Sequence, residues 1–209
     1  GRELLLRLEG TATPIQKVPI EKLNQYTDKN HQGVIAFLSP IAFHRVEDIV
    51  QNLFEEGKTP LLMVLDAVTD VRNFGAIART CVCAGVHALI INNRGSVAIN
   101  GDAIKSSAGA LHTLPVCKVE NLQNTLDYLR DSGLRIVAAT EHTDTCYTSV
   151  DMTVPTAIVM GSEEKGIYEE NLKRCTDKVR IPMTATIESL NVSVAAGILI
   201  YEAIRQRAK

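Results

Sequence analysis

The chain has 209 residues, which is enough for one domain with a good-sized core, or for one domain and part of another. Apolar residues make up 45% of the chain and charged residues 22%, which excludes an intrinsically disordered protein. The formal net charge is −2, and basic and acidic residues are nearly balanced on both sides of residue 60. This does not indicate a nucleic-acid binder, and any affinity for a polyanion must come from a local patch.

Nothing in the sequence indicates a membrane or secreted protein. No apolar run approaches the roughly 20 residues that cross a bilayer, and the first residues lack the layout of a signal peptide. We therefore expect a cytoplasmic protein without a membrane partner. Because the chain starts at Gly1 rather than Met, we also expect it to begin inside a longer protein or to carry the remnant of a tag.

The first 60 residues predict the end of one domain followed by a linker. The sequence indicates a short helix at 2–10, an extended piece with prolines at 13–26, a strand-like apolar run at 33–40 and a helix at 45–58. The last helix should end at Gly57, because Pro60 follows it. These elements carry too little apolar surface for an independent core.

From Leu61 onward, strands and helices alternate along the chain. The apolar runs do not alternate with polar residues, as expected for strands that are covered on both faces. The predicted strands lie at 61–66, 88–92, 114–119, 135–140, 155–161 and 178–183. The predicted helices lie at 73–85, 101–111, 121–133, 168–175 and 189–209. This order predicts an α/β fold with a mostly parallel sheet.

Three polar segments, at 66–75, 161–166 and 182–191, follow the first, fifth and sixth of these strands. Ligands of open parallel sheets bind at the carboxyl ends of the strands. The glycines of these segments match neither the dinucleotide fingerprint nor a phosphate-binding loop, which argues against a nucleotide-dependent oxidoreductase. An active site built from these three segments is therefore the default hypothesis.

The first segment leaves several alternatives open. Asp70 and Asn73 stand where a helix begins, so either of them can cap it. Gly75 permits the close approach of a backbone or a ligand. Arg79 lies among small residues, and its spacing does not decide between a paired structural arginine and one that binds a ligand.

The other two segments also have a structural alternative. The stretch at 161–166 reads as a charged turn that opens a helix, with Glu163 near the positive end of the helix dipole. In the third segment, Ser189, Asn191 and Ser193 are predicted in the first turn of the last helix. Capping explains one of these three polar residues and leaves two for another purpose.

The five cysteines form neither a disulfide framework nor a typical zinc signature. Cys81 and Cys83, with His87 four residues further on, are conceivable metal ligands. We favour reduced, buried structural thiols and expect no metal. The remaining cysteines are Cys117, Cys146 and Cys175.

Taken together, the three segments resemble the motifs of the SpoU/TrmH branch of the SPOUT RNA methyltransferases, over about residues 61–209. The matching stretches are Asn73–Arg79, Met160–Gly166 and Ile181–Ala195. Residues 15–39 resemble the end of the RNA-binding domain, and the linker, that precede the catalytic domain in the 23S rRNA guanosine subgroup. Most of that front domain is expected to be missing from this chain.

The resemblance implies a fold that the residue pattern alone would not propose. The domain at 61–209 would be a SPOUT methyltransferase domain with a trefoil knot, threaded from about residue 135 onward, which is a rare exception among folds. Residues 1–40 would be the C-terminal part of an N-terminal RNA substrate-binding domain, and residues 41–60 a linker helix. The family works as a homodimer with its site near the subunit interface.

The resemblance also implies a cofactor, S-adenosyl-L-methionine, and the residues that hold it and carry the reaction. The implied cofactor-binding residues are Thr140, Met160, Gly161, Ile181, Met183 and Leu190. The implied catalytic residues are Asn73, Arg79, Glu163, Ser189 and Asn191. Arg79 would be central, and we interpret it as a bidentate phosphate ligand that orients the ribose, because an arginine stays protonated.

The predicted function is the transfer of a methyl group to a ribose 2′-hydroxyl, of a guanosine in 23S rRNA. Two alternatives remain open. The first is the same reaction on tRNA, and the second is an RNA-binding protein of the same fold that has lost catalysis. The linker resemblance favours rRNA, and the presence of every expected motif residue favours an active enzyme.

Overall fold

The computed structural model describes residues 15–37, 39–184 and 189–208. The chain divides into two compact units, Gly1–Ser39 and Pro40–Lys209. The helix predicted at 2–10 lies outside the described residues. Within the described residues, no helix is long and apolar enough to cross a membrane.

The first unit contains one short helix among its described residues, α1 (Ile20–Asn24), where the sequence predicted an extended piece. The ring of Tyr26 packs edge-on against Phe37, with their centroids 5.0 Å apart. The strand predicted at 33–40 is wrong for residues 34–37, which form none. Phe37 is 74% exposed, and a lone apolar run without a paired neighbour gains nothing from extended geometry.

The second unit is built on a seven-stranded sheet in which every pair of neighbours is parallel, as predicted. The strands are β1 (Phe43–His44), β2 (Leu61–Asp66), β3 (Ala88–Asn92), β4 (Val116–Val119), β5 (Arg135–Ala139), β6 (Thr156–Gly161) and β7 (Asp177–Val179). Their order across the sheet is β1-β4-β3-β2-β6-β5-β7. The chain therefore crosses the sheet and brings β2 beside β6.

Helices cover both faces of this sheet. They are α2 (Val46–Glu55), α3 (Val71–Ala84), α4 (Gly101–Ser106), α5 (Leu122–Asp131), α6 (Glu169–Leu172) and α7 (Val192–Arg207). Helices α3, α4 and α7 form one core with Leu61, Met63 and Leu65 of β2. Helices α2, α5 and α6 form the other core with Leu62 and Val64 of the same strand. This two-sided burial is why β2 reads as an unbroken apolar run.

The structure corrects several predicted boundaries. The last strand was predicted at 178–183, but pairing with β5 ends at Val179, and Ile181–Met183 lie beyond the ladder. Helix α7 begins at Val192, so Ser189 lies before the helix and not in its first turn. Helix α2, in the range predicted as a linker, belongs to the second unit and buries Val46, Val50 and Leu53 in its core.

Gly75 explains how closely α3 and α4 pack. A Cβ atom at this position would lie 2.1 Å from the Ser106 Oγ and 2.6 Å from the Ser106 backbone carbon. The Ser106 hydroxyl also donates a hydrogen bond to the Val71 carbonyl, 2.9 Å away. Gly75 thus admits a neighbouring helix rather than a ligand.

We predict that Gly75→Ala destabilises the protein, because α4 must move away from α3 to make room for the methyl group. The free energy of unfolding from urea denaturation should fall by about 1–3 kcal/mol. Gly101→Ala is the matched control, since no atom lies within 4 Å of its added methyl group. A Gly75→Ala protein as stable as the Gly101→Ala protein would contradict the proposed contact.

Candidate active site

The start of α3 resolves the choice between Asp70 and Asn73. Asp70 caps the helix, because its Oδ1 accepts hydrogen bonds from the backbone nitrogens of Arg72 and Asn73, both at 2.8 Å. The side chain of Asn73 is therefore not needed as a cap. Its Nδ2 donates instead to Glu163 Oε1, 3.0 Å away and 90 residues further along the chain.

Asn191 performs two tasks at the start of α7. Its Oδ1 caps the helix by accepting from the backbone nitrogen of Ser193 at 3.0 Å. Its Nδ2 donates to Glu163 Oε1 at 2.7 Å and to Asn73 Oδ1 at 2.9 Å. The three polar segments thus converge in one place, which we call the amide–carboxylate cluster (Asn73, Glu163 and Asn191).

The loop that carries Glu163 closes on itself directly after β6. Ser162 and Gly166 exchange two backbone hydrogen bonds, at 3.1 and 2.9 Å. A Cβ atom on Gly161 would lie 2.0 Å from the Gly166 backbone carbon, so only glycine fits at Gly161. Gly166 has a φ of +65°, which glycine adopts at low cost. The two glycines therefore shape the loop and fix the position of Glu163.

Asp66, at the carboxyl end of β2, holds the other end of this loop, and the sequence analysis missed it. Its Oδ2 accepts from the Tyr168 backbone nitrogen and from Asn171 Nδ2, both at 2.8 Å. Asp66 is fully buried, and burial raises the pKa of its carboxyl above the ordinary value despite the opposing effect of these two hydrogen bonds. A carboxylate that ends a buried apolar strand was the available sequence signal.

The predicted cofactor residues lie at neighbouring strand ends. Thr140, Gly161 and Ile181 follow or end β5, β6 and β7, which are adjacent in the sheet. The backbone nitrogen of Thr140 is already bonded to the Val179 carbonyl, so it is not free for a ligand. Met160, inside β6, is buried.

The loops around β7 and α7 offer a surface that suits an adenosine. Met183 is 40% exposed and Leu190, directly before Asn191 in the chain, is 38% exposed. Among the described residues, none makes a backbone hydrogen bond with Ile181, Met183 or Leu190. Exposed apolar groups next to available backbone donors and acceptors fit the flat, polar-edged adenine of S-adenosylmethionine.

Two predicted catalytic residues do not join the amide–carboxylate cluster. Ser189 is exposed and makes no hydrogen bond within the described part of the chain. Arg79 is exposed on α3, six residues after Asn73, which corresponds to about 9 Å along the helix axis. No hydrogen bond or ion pair connects Arg79 with another described residue, so among these residues it has no structural partner.

The cysteines differ in their exposure. Cys81 and Cys117 are buried, and burial raises the pKa of both thiols to about 12. Cys83 is exposed, so the prediction of a buried thiol is wrong there, because this position faces outward on α3.

His87, the third conceivable metal ligand, has a structural role instead. Its Nδ1 accepts a hydrogen bond from the Leu61 backbone nitrogen, 3.0 Å away. The described residues contain no group of three that could hold a metal.

Two known protein families match this chain. Residues 60–201 match the model of the SpoU rRNA methylase family, and residues 1–44 match that of the RNA 2′-O ribose methyltransferase substrate-binding domain. The chain is 35% identical to a putative TrmH-family tRNA/rRNA methyltransferase of Staphylococcus saprophyticus, over 98% of this chain and 82% of that protein. It is 36% identical to a 23S rRNA (guanosine-2′-O-)-methyltransferase of Pseudomonas aeruginosa, over 95% of this chain and 80% of that protein.

Solved structures show the same fold. The SpoU methyltransferase AviRb from Streptomyces viridochromogenes, in complex with the cofactor AdoMet, superposes with a TM-score of 0.67 at 31% identity. That match covers 71% of this chain and 58% of the other, so the chain spans less than two thirds of that structure. The A. aeolicus TrmH/SpoU tRNA modifying enzyme superposes with a TM-score of 0.65 at 34% identity, over 77% of this chain and 83% of the other.

The parallel α/β sheet together with the matches to SpoU methylases defines an RNA methyltransferase of the α/β class. The chain belongs to the SpoU rRNA methylase family. The predicted family, the α/β methyltransferase fold and the S-adenosylmethionine-dependent RNA methyltransferase class are thereby confirmed.

We predict that Glu163→Ala disables methyl transfer, because it leaves two side-chain amides without their shared acceptor and releases the loop after β6. A misplacement of about 1 Å in an active site typically costs on the order of 100-fold in rate, and kcat/KM should fall on that scale. Scintillation counting of methyl transfer to RNA measures the effect. Glu164→Ala is the control, since Glu164 is exposed and lies outside the cluster. Equal activity of the two variants would show that the cluster does not support the reaction.

Proposed function

We propose that the protein transfers a methyl group from S-adenosylmethionine to the 2′-hydroxyl of a guanosine in 23S rRNA. The amide–carboxylate cluster carries this proposal, because its bonds join the three segments in which the catalytic residues are predicted. The 36% identity to a 23S rRNA (guanosine-2′-O-)-methyltransferase supports the substrate. A tRNA substrate is the second candidate, since the superposable A. aeolicus enzyme modifies tRNA.

The reaction requires alignment more than activation of the methyl donor. When bound, S-adenosylmethionine supplies a sulfonium-linked methyl group, which is a good electrophile without help from a metal. The residues of the chain would hold the ribose oxygen in line with that methyl group while the hydroxyl loses its proton. Ile181, Met183 and Leu190 would hold the adenosine, with the segment at 160–161 beside it.

Asn73, Glu163 and Asn191 are best explained as positioning residues, because each of them is already bonded to the other two. Their bonds fix the starts of α3 and α7 and the loop after β6 relative to one another. Arg79, which has no partner among the described residues, would grip the phosphate next to the target ribose. A guanidinium suits this task because its planar fork forms two charge-assisted bonds with phosphate.

A homodimer would explain the exposed surface of α3 and α7. Val194 and Tyr201 are 51% and 52% exposed, and they lie seven residues apart on one side of α7. On the adjacent helix α3, Val82 is 39% exposed. A second copy of the chain would cover this apolar surface. Arg79 lies three residues before Val82, so pairing through this surface would bring it close to the partner.

We therefore propose that Arg79 of one protomer completes the site formed by the cluster of the other. This arrangement accounts for the exposure of Arg79 and for its distance from Asn73 within one chain. The net charge of −2 is compatible with RNA binding under this scheme, because the cationic group is delivered locally.

The remaining expectations concern the organisation of the chain. We propose that residues 1–40 serve RNA substrate binding and that residues 61–209 form a trefoil-knotted domain in the cytoplasm. The match of residues 1–44 to the substrate-binding family supports the first point.

The function is tested by incubating the protein with labelled S-adenosylmethionine and purified 23S rRNA or tRNA, followed by mapping of the methylated nucleotide. We expect label at the ribose of one guanosine in 23S rRNA. Label only in tRNA would replace the substrate and leave the reaction intact. Binding of both S-adenosylmethionine and RNA without transfer to either RNA would identify an inactive RNA-binding member of the family.

We predict that Arg79→Ala and Glu163→Ala complement each other across the dimer. The homodimer of each variant should be inactive. A heterodimer of one Arg79→Ala chain and one Glu163→Ala chain, purified with two different tags, contains one intact site. It should recover about half of the wild-type activity. The matched control places both substitutions in one chain and pairs it with a wild-type chain. That heterodimer should be inactive if the site is shared, and half-active if Arg79 serves its own chain.

A further inference from the structure

A polar cleft of about 290 Å³ lies at the carboxyl ends of β3 and β4, beside the start of α6. Its lining includes no residue of the amide–carboxylate cluster and none of the predicted cofactor residues. The loop that leaves Glu163 reaches the cleft at Tyr168, five residues later. The cleft is therefore distinct from the candidate active site but is built on the same loop.

One buried group in this cleft lacks a partner. Asn171 is 5% exposed and donates through Nδ2 to Asp66, while its Oδ1 is buried and receives no hydrogen bond from the described residues. A buried carbonyl oxygen without a donor is unfavourable unless another molecule supplies one. Glu170, at the rim, has an exposed carboxylate that no described residue bonds. Because the Asn171 Oδ1 has almost no accessible surface, the unused acceptor that the cleft presents to a ligand is the Glu170 carboxylate.

The other groups that line the cleft limit the class of ligand that can bind there. Glu120 contributes a second carboxylate, and Arg94 contributes the guanidinium. Two carboxylates against one guanidinium disfavour an anion such as phosphate in the body of the cleft. Tyr168 is 44% exposed and offers a ring on which a planar group can stack.

A guanine base matches this set of groups. Its Watson–Crick edge presents N1–H and the 2-amino group side by side, and the O6 and N7 acceptors lie next to them. The Glu170 carboxylate would accept from the N–H groups, beside the Glu120 carboxylate, which already accepts a hydrogen bond from Asn93 Nδ2. Arg94 would donate to the acceptor edge. Adenine lacks both the N1–H and the 2-amino group, so it would leave the acceptors unpaired.

We propose that this cleft binds an unpaired guanine base of the RNA substrate and so contributes to the choice of the modified site. The proposal rests on the proposed function, because it assumes an RNA substrate. Glu170 is its most direct test, since it is exposed and has no structural partner among the described residues. Glu169→Gln is the matched control, because Glu169 pairs with Lys173 at the surface and does not line the cleft.

The test uses the RNA that the wild-type protein methylates, with each unpaired guanosine replaced in turn by inosine, which lacks only the 2-amino group. At one position, inosine should lower kcat/KM of the wild-type protein by about tenfold, the scale of one lost base contact. Glu170→Gln should cause a similar loss on the unmodified RNA and no further loss on the inosine RNA. Glu169→Gln should retain the wild-type preference, and KM for S-adenosylmethionine should stay unchanged in both variants.

The proposal is overturned if inosine has no effect at any position, or if Glu170→Gln keeps the full wild-type discrimination between guanine and inosine. In the second case the losses from Glu170→Gln and from inosine simply multiply, and independent effects would mean that the two groups do not meet. Both outcomes presuppose methyl transfer by the wild-type protein. They are therefore distinguishable from a failure of the proposed function, in which no RNA is methylated.

Discussion

The arrangement of the whole site depends on one oxygen atom, Oε1 of Glu163. It accepts hydrogen bonds from Asn73 at the start of α3, from Asn191 at the start of α7 and, at 3.4 Å, from the backbone nitrogen of Val192. Bonds to a carboxylate are stronger than those between neutral groups, and two helix N-termini add favourable partial charge. A single negative charge therefore fixes three distant parts of the chain and stabilises two helix starts at the same time.

This oxygen is itself held in place from the sheet. The loop after β6 is closed by the bonds between Ser162 and Gly166, and its far end is anchored by Asp66 through Tyr168 and Asn171. Burying Asp66 is unfavourable, as its raised pKa indicates. The fold tolerates this carboxyl because both donors on its Oδ2 come from the segment that follows the loop. Asp66 therefore serves to position the loop and does not serve to stabilise the core.

The sequence predicted the strands from β2 onward, because strands buried on both faces leave unbroken apolar runs such as that of β2. It missed β1, whose two residues are exposed. It could not choose between Asp70 and Asn73, since both side chains cap helices and stand three residues apart. It placed Asn191 correctly near a helix start but could not reveal its second bond, which joins positions 118 residues apart. Asp66 escaped notice because its partners lie more than 100 residues away. Local sequence patterns do not predict contacts between residues that are far apart in the chain.

The distribution of the arginines explains how a chain with a net charge of −2 can bind RNA. Most arginines of the described residues are engaged, as in the case of Arg207, which donates to four backbone carbonyls. Among the described residues, Arg72, Arg79 and Arg94 form no side-chain hydrogen bond or ion pair, and all three follow the carboxyl ends of β2 and β3. Among the described residues, the guanidinium groups without a partner therefore lie in the segments that follow β2 and β3. A polyanion would meet local positive charge there, while the paired arginines elsewhere serve the fold.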